Sequence, residues 1–231
     1  MSDTHRAVAI DGPSGAGKST VARAAASRCG FIYVDTGAIY RTVGLAVRRA
    51  GADPHDGAAV RALLPGLTIR FDYGPDGVQR MRLNGEDVSE AIRTPEMSMY
   101  ASAVSAIAEV RAFLLDMQRN AARRHSVVMD GRDIGTVVLP DAGLKIFLTA
   151  SLEARAERRL AELAARGDPS TLADVIADMA RRDEQDSSRA AAPLRAAEDA
   201  VLVDTSNMTL EESVEWVCAL IKERFGPEVC G

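Results

Sequence analysis

Ile10-Asp11-Gly12-Pro13-Ser14-Gly15-Ala16-Gly17-Lys18-Ser19-Thr20 follows directly on the apolar run Ala7-Val8-Ala9-Ile10. From Gly12 to Ser19 it spells G-x-x-x-x-G-K-S between an expected strand and an expected helix, the context that the phosphate-binding P-loop requires. The glycines let backbone N–H groups turn inward as a nest, and the helix that follows adds its positive N-terminal end. In this pattern Lys18 reaches the β- and γ-phosphates of a nucleotide and the Ser19 hydroxyl ligates Mg²⁺.

Four further apolar runs extend the picture: Phe31-Ile32-Tyr33-Val34, Ser126-Val127-Val128-Met129, Leu144-Lys145-Ile146-Phe147-Leu148 and Ala200-Val201-Leu202-Val203. Helical patterns separate most of them. Continuous apolar strands alternating with helices predict an α/β fold, a five-stranded parallel sheet covered on both faces. Ligands of such sheets bind at the carboxyl ends of strands, where Asp11, Asp35 and Asp130 fall; a helix cap or a turn explains any one of these aspartates equally well. The first helix is expected from about Lys18 to Arg28, and a second after Asp35-Thr36-Gly37, carrying Tyr40 and Arg41 one turn in.

Between Leu67 and Val88 the period changes to two, with turn signals at Tyr73-Gly74-Pro75-Asp76-Gly77 and Asn84-Gly85, so a small antiparallel β insertion is expected on the core. A mostly helical stretch from about Glu96 to Arg124 carries Ser102 and Arg111. Asp130-Gly131-Arg132-Asp133-Ile134-Gly135-Thr136 comes straight after the third strand. Arg132 can clamp a phosphate with two bonds, and Asp133 can accept from an amino group; a surface ion pair is the plainer reading. From Arg155 to Arg195 a charged helical hairpin is expected, interrupted at Arg166-Gly167-Asp168-Pro169, with its second helix at about Leu172 to Arg182. Such hairpins are often only solvated faces, but placed between two core strands this one fits a mobile lid.

The chain has 231 residues with a net charge of -5, enough for one large domain and unsuited to wrapping nucleic acid. Lys18, Lys145 and Lys222 are the only lysines. Cys29, Cys218 and Cys230 have neither CxxC spacing nor an even count, so reduced thiols in a cytoplasmic protein are expected. No apolar run approaches a membrane span, and Met1-Ser2-Asp3-Thr4-His5 does not resemble a signal peptide.

A P-loop alone fits kinases, GTPases and other NTPases. A short chain, no Asn/Thr-Lys-x-Asp guanine-reading sequence, and arginines in every segment around the loop favour a small-molecule kinase whose acceptor carries its own phosphate. The whole set of motifs resembles the bacterial cytidylate kinase family of nucleoside monophosphate kinases: the P-loop, Asp35-Thr36-Gly37-Ala38-Ile39-Tyr40-Arg41, Gly85-Glu86-Asp87-Val88, Ile92-Arg93-Thr94, Val110-Arg111, Asp130 to Val138, Arg182-Asp183, and Arg189-Ala190-Ala191-Ala192-Pro193-Leu194. The resemblance implies a P-loop NTPase core over 1–231, a β NMP-binding insert at 65–95 and a helical lid at 153–190. It implies transfer of the γ-phosphoryl group of ATP to CMP or dCMP with Mg²⁺, in a cytoplasmic monomer without nucleic-acid or membrane partners.

Gly12, Pro13, Ser14, Gly15, Ala16, Gly17, Lys18, Ser19 and Thr20 then correspond to the ATP phosphate site, with Ser19 on the metal. Arg41, Arg132 and Arg182 resemble the arginines around the CMP phosphate and the transferring group. Ser102, Arg111 and Asp133 resemble the cytosine readers, which suits the donor and acceptors of that base. Thr36, Tyr40, Arg93, Asp186 and Arg189 resemble further acceptor contacts. Lys18, Arg132 and Arg182 would carry catalysis. Arg155, Arg158 and Arg159 align too loosely with lid arginines for individual roles. A kinase for another small acceptor (UMP or shikimate) and an ATP-switched regulatory module are the alternatives.

Overall fold

The structure, a computed structural model, describes residues 5–165 and 167–230; Met1 to Thr4 of the expected start, and Arg166 of the expected hairpin break, lie outside them. The described chain divides into two compact units, Val34–Ala121 and the segments on either side of it.

In the first unit the apolar runs form strands as expected: β1 (Ala7–Asp11), β2 (Ile32–Asp35, which runs across the boundary), β6 (Val127–Gly131), β7 (Leu144–Thr149) and β8 (Val201–Asp204). They make one five-stranded sheet in the order β2-β6-β1-β7-β8. β1 pairs in parallel with β6 and β7, and β7 with β8, so β1 lies at the centre. Residues of both parities are sealed: Val8 and Ile10 on one face and Ala9 on the other are each 0% exposed. That is why β1 reads as an unbroken apolar run; the edge strand β8 keeps its apolar run although Leu202 is 69% exposed.

Helix α1 (Lys18–Arg28) packs on the sheet through the small side chains Val21, Ala22, Ala25 and Ala26, spaced at helical period. Helix α8 (Leu210–Phe225) joins the same layer through Val214, Val217, Cys218 and Ile221. Its start is specified by a capping box. The Thr209 side chain accepts from the Glu212 N–H, and the Glu212 carboxylate accepts from the Thr209 N–H at 2.8 Å, worth about 1 kcal/mol. The expected hairpin is α6 (Leu152–Ala164) and α7 (Leu172–Ser188), with Val175 and Met179 of α7 packed on Ala156 of α6. α7 does not stop at Arg182. It runs on through Asp183 to Ser188, because no helix breaker intervenes before Ala190 to Pro193.

The second unit holds α2 (Thr36–Arg49), α3 (Gly57–Leu63), the strands β3 (Ile69–Tyr73), β4 (Gln79–Leu83) and β5 (Glu86–Asp87), the helix α4 (Pro95–Ser105) and all but the last three residues of α5 (Ala108–Arg124). The β insertion is antiparallel as expected, with Ile69 opposite Leu83 and Tyr73 opposite Gln79. Its third strand is only two residues long, too short for alternation to reveal it. Asn84 and Gly85 both take positive φ, 52° and 89°, making the tight turn that this dipeptide favours. The helical stretch after it is two helices, broken at Ala106-Ile107. α2 and α4 pack closely at Gly44, where a Cβ would lie 2.8 Å from the Tyr100 Cβ. No single described helix is long and apolar enough to cross a membrane.

The expectation of three reduced thiols is corrected: Cys29, which follows α1, and Cys230 form a disulfide, and Cys218 is a buried thiol. An odd count is compatible with one pair and one remainder, and the partners are 201 residues apart. Closing a loop of that length stabilises the fold by about 5 kcal/mol in the chain-entropy account. Reduction should therefore lower Tm by roughly 10–20 °C, read by calorimetry with and without reductant; a shift below about 1 °C would contradict the bond's contribution.

Candidate active site

The P-loop occupies the carboxyl end of β1, between that central strand and α1. Gly12 takes φ 150°, and a Cβ there would sit 1.9 Å from the Leu148 carbonyl oxygen of β7. Only glycine allows the loop to lie this close to the neighbouring strand. Gly17, at φ 83° and ψ 4°, caps α1 in the left-handed region, where an L side chain is strained even with open space around it. The Lys18 ammonium is 5% exposed and donates to the Pro13 carbonyl at 2.6 Å. Burial pushes its pKa well down and the nearby Arg132 charge adds to this, while Asp130, Asp11 and Asp186 oppose it.

Ser19, the next residue, donates its hydroxyl to Asp130 Oδ2 at 2.7 Å, and the other oxygen of that carboxylate accepts from the Tyr33 hydroxyl at 2.9 Å. A hydroxyl and a buried carboxylate side by side supply hard oxygen donors of the kind Mg²⁺ selects. The residues therefore fit that ion, and Asp130 joins Ser19 as a candidate ligand.

The turn after β6 is built by Asp11. Its carboxylate, 4% exposed, accepts from the backbone N–H groups of Ile134 and Gly135, both at 2.7 Å. These bonds open a wide helical turn over Ile134–Val138, closed by Val138 N–H to the Asp133 carbonyl at 3.1 Å. Burial raises the Asp11 pKa from 3.8 to about 6 against the effect of those two N–H groups. Asp133, at the head of the turn, is 3% exposed.

Beside this turn lies a group of arginines with one carboxylate among them. Arg132 Nε donates to Asp186 Oδ2 at 2.7 Å, and Arg189 Nη1 stands 3.6 Å from Oδ1 of the same side chain. Arg182, one turn before Asp186 on α7, has its pKa lowered by burial and then by the charge of Arg132. Arginine remains charged under such a shift. The cluster thus carries a surplus of positive charge, which a phosphate would neutralise.

Within the second unit the structure brings together another part of the expected set. Asp35 caps α2, accepting from Ala38 N–H at 2.8 Å, and pairs with Arg41 at 3.0 Å. Thr36 is 3% exposed at the start of the same helix. The Arg111 guanidinium lies 5.6 Å from the centre of the Tyr40 ring and donates to the Ser105 carbonyl at 3.2 Å, one turn beyond Ser102 in α4. Arg93 is exposed and stays local, donating to the Ser89 carbonyl and 3.7 Å from Glu90.

Three positioning residues were not singled out from the sequence. Gln79 of β4 is 8% exposed and brackets the Asp35 backbone, accepting from its N–H at 2.8 Å and donating to its carbonyl at 3.3 Å. Asp11 carried no role beyond its place at a strand end. Arg155 is 6% exposed; it donates to the carbonyls of Ala150 and of Ser14 in the P-loop, both at 3.0 Å, and pairs with Asp183 at 2.7 Å. It is thus separated from its neighbours: Arg158 donates to Thr205, and Arg159 pairs with Glu162 on the surface. The local signal for Arg155 was weak, because a charged helix is usually a solvated face.

The sequence pattern of the cytidylate kinase family matches residues 8–223. A cytidylate kinase of Geobacter sulfurreducens is 51% identical over 94% of this chain and 93% of its own. One of Mycobacterium leprae is 50% identical over 95% of this chain and 96% of its own. A solved structure of an uncharacterised protein from Eubacterium ventriosum is similar in fold, with a TM-score of 0.53 at 12% identity, covering 95% and 99% of the two chains.

Arg155→Ala would leave the partly buried Asp183 carboxylate and the Ser14 carbonyl without their partner, so the unfolding free energy should fall by about 2–4 kcal/mol, measured by denaturant unfolding. A loss below about 1 kcal/mol would show the pair to be incidental. For Asp11 the folded pKa lies above the unfolded one. Its contribution is therefore complete below about 3.8 and is lost as pH rises through about 6, an amount of up to about 3 kcal/mol. Asp11→Asn should accordingly look better relative to the parent at pH 7 than at pH 4; a stability difference independent of pH would refute the shift.

Proposed function

The chain belongs to the cytidylate kinase family, and from that premise we propose that it transfers the γ-phosphoryl group of ATP to CMP or dCMP, giving ADP and CDP or dCDP. The observation that carries this reading is the pairing, on one turn, of the buried Asp133 with Arg132, whose guanidinium opens the arginine cluster around Asp186. A carboxylate for an exocyclic amino group beside arginines for a phosphate is what a cytidine monophosphate offers chemistry for.

Gly12 to Thr20 would cradle the donor phosphates, with Lys18 turning from the Pro13 carbonyl to a phosphate oxygen. Negative charge beside the ammonium would offset the burial that lowers its pKa. Ser19 and Asp130 would hold Mg²⁺, which neutralises charge on the β- and γ-phosphates when bound. The acceptor oxygen is an anionic phosphate oxygen at neutral pH, so no side chain has to remove a proton. Arg41, Arg132 and Arg182 would hold the acceptor phosphate and the transferring group in line, where positioning and charge stabilisation do most of the work. Ser102, Arg111 and Asp133 would read the base. Thr36, Tyr40, Asp186 and Arg189 would complete the acceptor contacts, and Arg93 would close onto the nucleotide.

We assign the chain, 1–231, to a single P-loop kinase domain with 65–95 as NMP-binding insert and 153–190 as lid. It would act in the cytoplasm as a monomer, without nucleic acid or membrane; the net charge of -5 supports the first exclusion.

A coupled ADP-release assay with CMP, dCMP, UMP, AMP and shikimate tests the proposal: CMP and dCMP should dominate, and equal rates with UMP or shikimate would overturn it. Lys18→Ala should lower kcat on the order of 10²–10³-fold or more with the fold intact. Asp133→Ala should raise KM for CMP roughly 10- to 100-fold while leaving KM for ATP nearly unchanged. Equal losses for CMP and UMP would remove Asp133 from base reading. Arg182→Ala should lower kcat more than it raises KM.

A further inference from the structure

Three sulfurs from distant parts of the chain meet at the end of α1 that lies away from the P-loop. Cys29 follows the last turn of α1, Cys218 belongs to α8, and Cys230 lies in the segment after α8. They are 5%, 8% and 4% exposed, and their Sγ atoms all lie within 4.8 Å of one another. The surroundings are apolar, including Val217, Ile221 and Val229.

A disulfide accounts for two of these sulfurs and leaves the third unexplained. Cys218 Sγ stands 3.9 Å from Cys29 Sγ. It is not placed for thiol–disulfide exchange, since in-line attack on Cys29 would set the two outer sulfurs about 6 Å apart, whereas they lie within 4.8 Å of each other. Two corners of this triangle are bonded to each other; once reduction lets them move apart, three sulfurs this close are a ligand set. Sulfurs about 2.3 Å from a tetrahedral Zn²⁺ stand about 3.8 Å from one another, close to the Cys29–Cys218 separation of 3.9 Å.

We propose that, once the Cys29–Cys230 disulfide is reduced, Cys29, Cys218 and Cys230 form a three-thiolate site for a thiophilic d¹⁰ cation such as Zn²⁺, with water as the fourth ligand. Reduction by a phosphine gives two thiols and the phosphine oxide, water supplying the oxygen and the two protons. Binding then releases one proton from each of the three thiols. The ion replaces the disulfide as the tie between the end of α1 and the C-terminal segment, so the two oxidation states hold the same elements together by different bonds. No group of the phosphoryl-transfer site takes part.

The test is anaerobic titration of the full, phosphine-reduced chain with Co²⁺ and then Zn²⁺. One Co²⁺ per chain should bind with a thiolate-to-cobalt charge-transfer band that Zn²⁺ abolishes, and Zn²⁺ should restore several degrees of the Tm lost on reduction. Cys218→Ser should weaken Co²⁺ binding at least tenfold while leaving metal-free kinase activity unchanged. Absence of the band, or a band untouched by Cys218→Ser in the folded variant, overturns the proposal. Should that variant fail to fold, alkylation of the parent decides. Zn²⁺ must slow modification of all three cysteines together, and protection of fewer than three overturns the site.

Discussion

The buried carboxylate of Asp11 is the interaction on which the candidate phosphate site depends. It ends the central strand, immediately before the first glycine of the P-loop, and takes two N–H groups from the turn after the neighbouring strand. One side chain therefore ties the candidate donor loop to the turn that carries Arg132 and Asp133. Its burial is unfavourable for a charge, as the raised pKa records, and two short backbone bonds offset that cost. A neutral group of the same shape could not satisfy both donors.

The same logic of opposed charges recurs outward from this tie. Asp186 stands among Arg132, Arg189 and Arg182, and Asp183, three residues earlier on α7, holds Arg155 against the P-loop backbone. Each carboxylate does two things at once. It lowers the repulsion among closely placed guanidinium groups, and it fixes their direction. Because the positive charges outnumber the negative ones there, the cluster stays attractive to a phosphate. α7 carries both carboxylates, Asp183 and Asp186, only because it runs on past Arg182.

What was legible in the sequence were features written in consecutive residues. The inner strands were readable as apolar runs because both faces of the sheet are covered there, and the P-loop because its glycines, lysine and serine are adjacent. Asp133 stood out because glycine flanks its arginine neighbour at the end of a strand. Features written across long separations were not legible. Asp11 and Ile134 are 123 residues apart, Ser14 and Arg155 141, and Asp35 and Gln79 44. No local pattern announces such partners, and a glutamine in an alternating strand looks like any other polar position. The cysteines make the same point: their count left reduced thiols as the simplest reading, while the fold brings Cys29 and Cys230 into a bond.

The bond from the Lys18 ammonium to the Pro13 carbonyl has one more consequence. A free lysine side chain loses about 2 kcal/mol of rotamer entropy when it is immobilised. Here that loss occurs when the chain folds, since the side chain is already buried and held by its own loop. Engaging a phosphate then exchanges one acceptor for another without ordering a flexible arm. For a donor bound as proposed, affinity would be coupled to folding stability: anything that loosens the loop would return the entropic cost to the binding step.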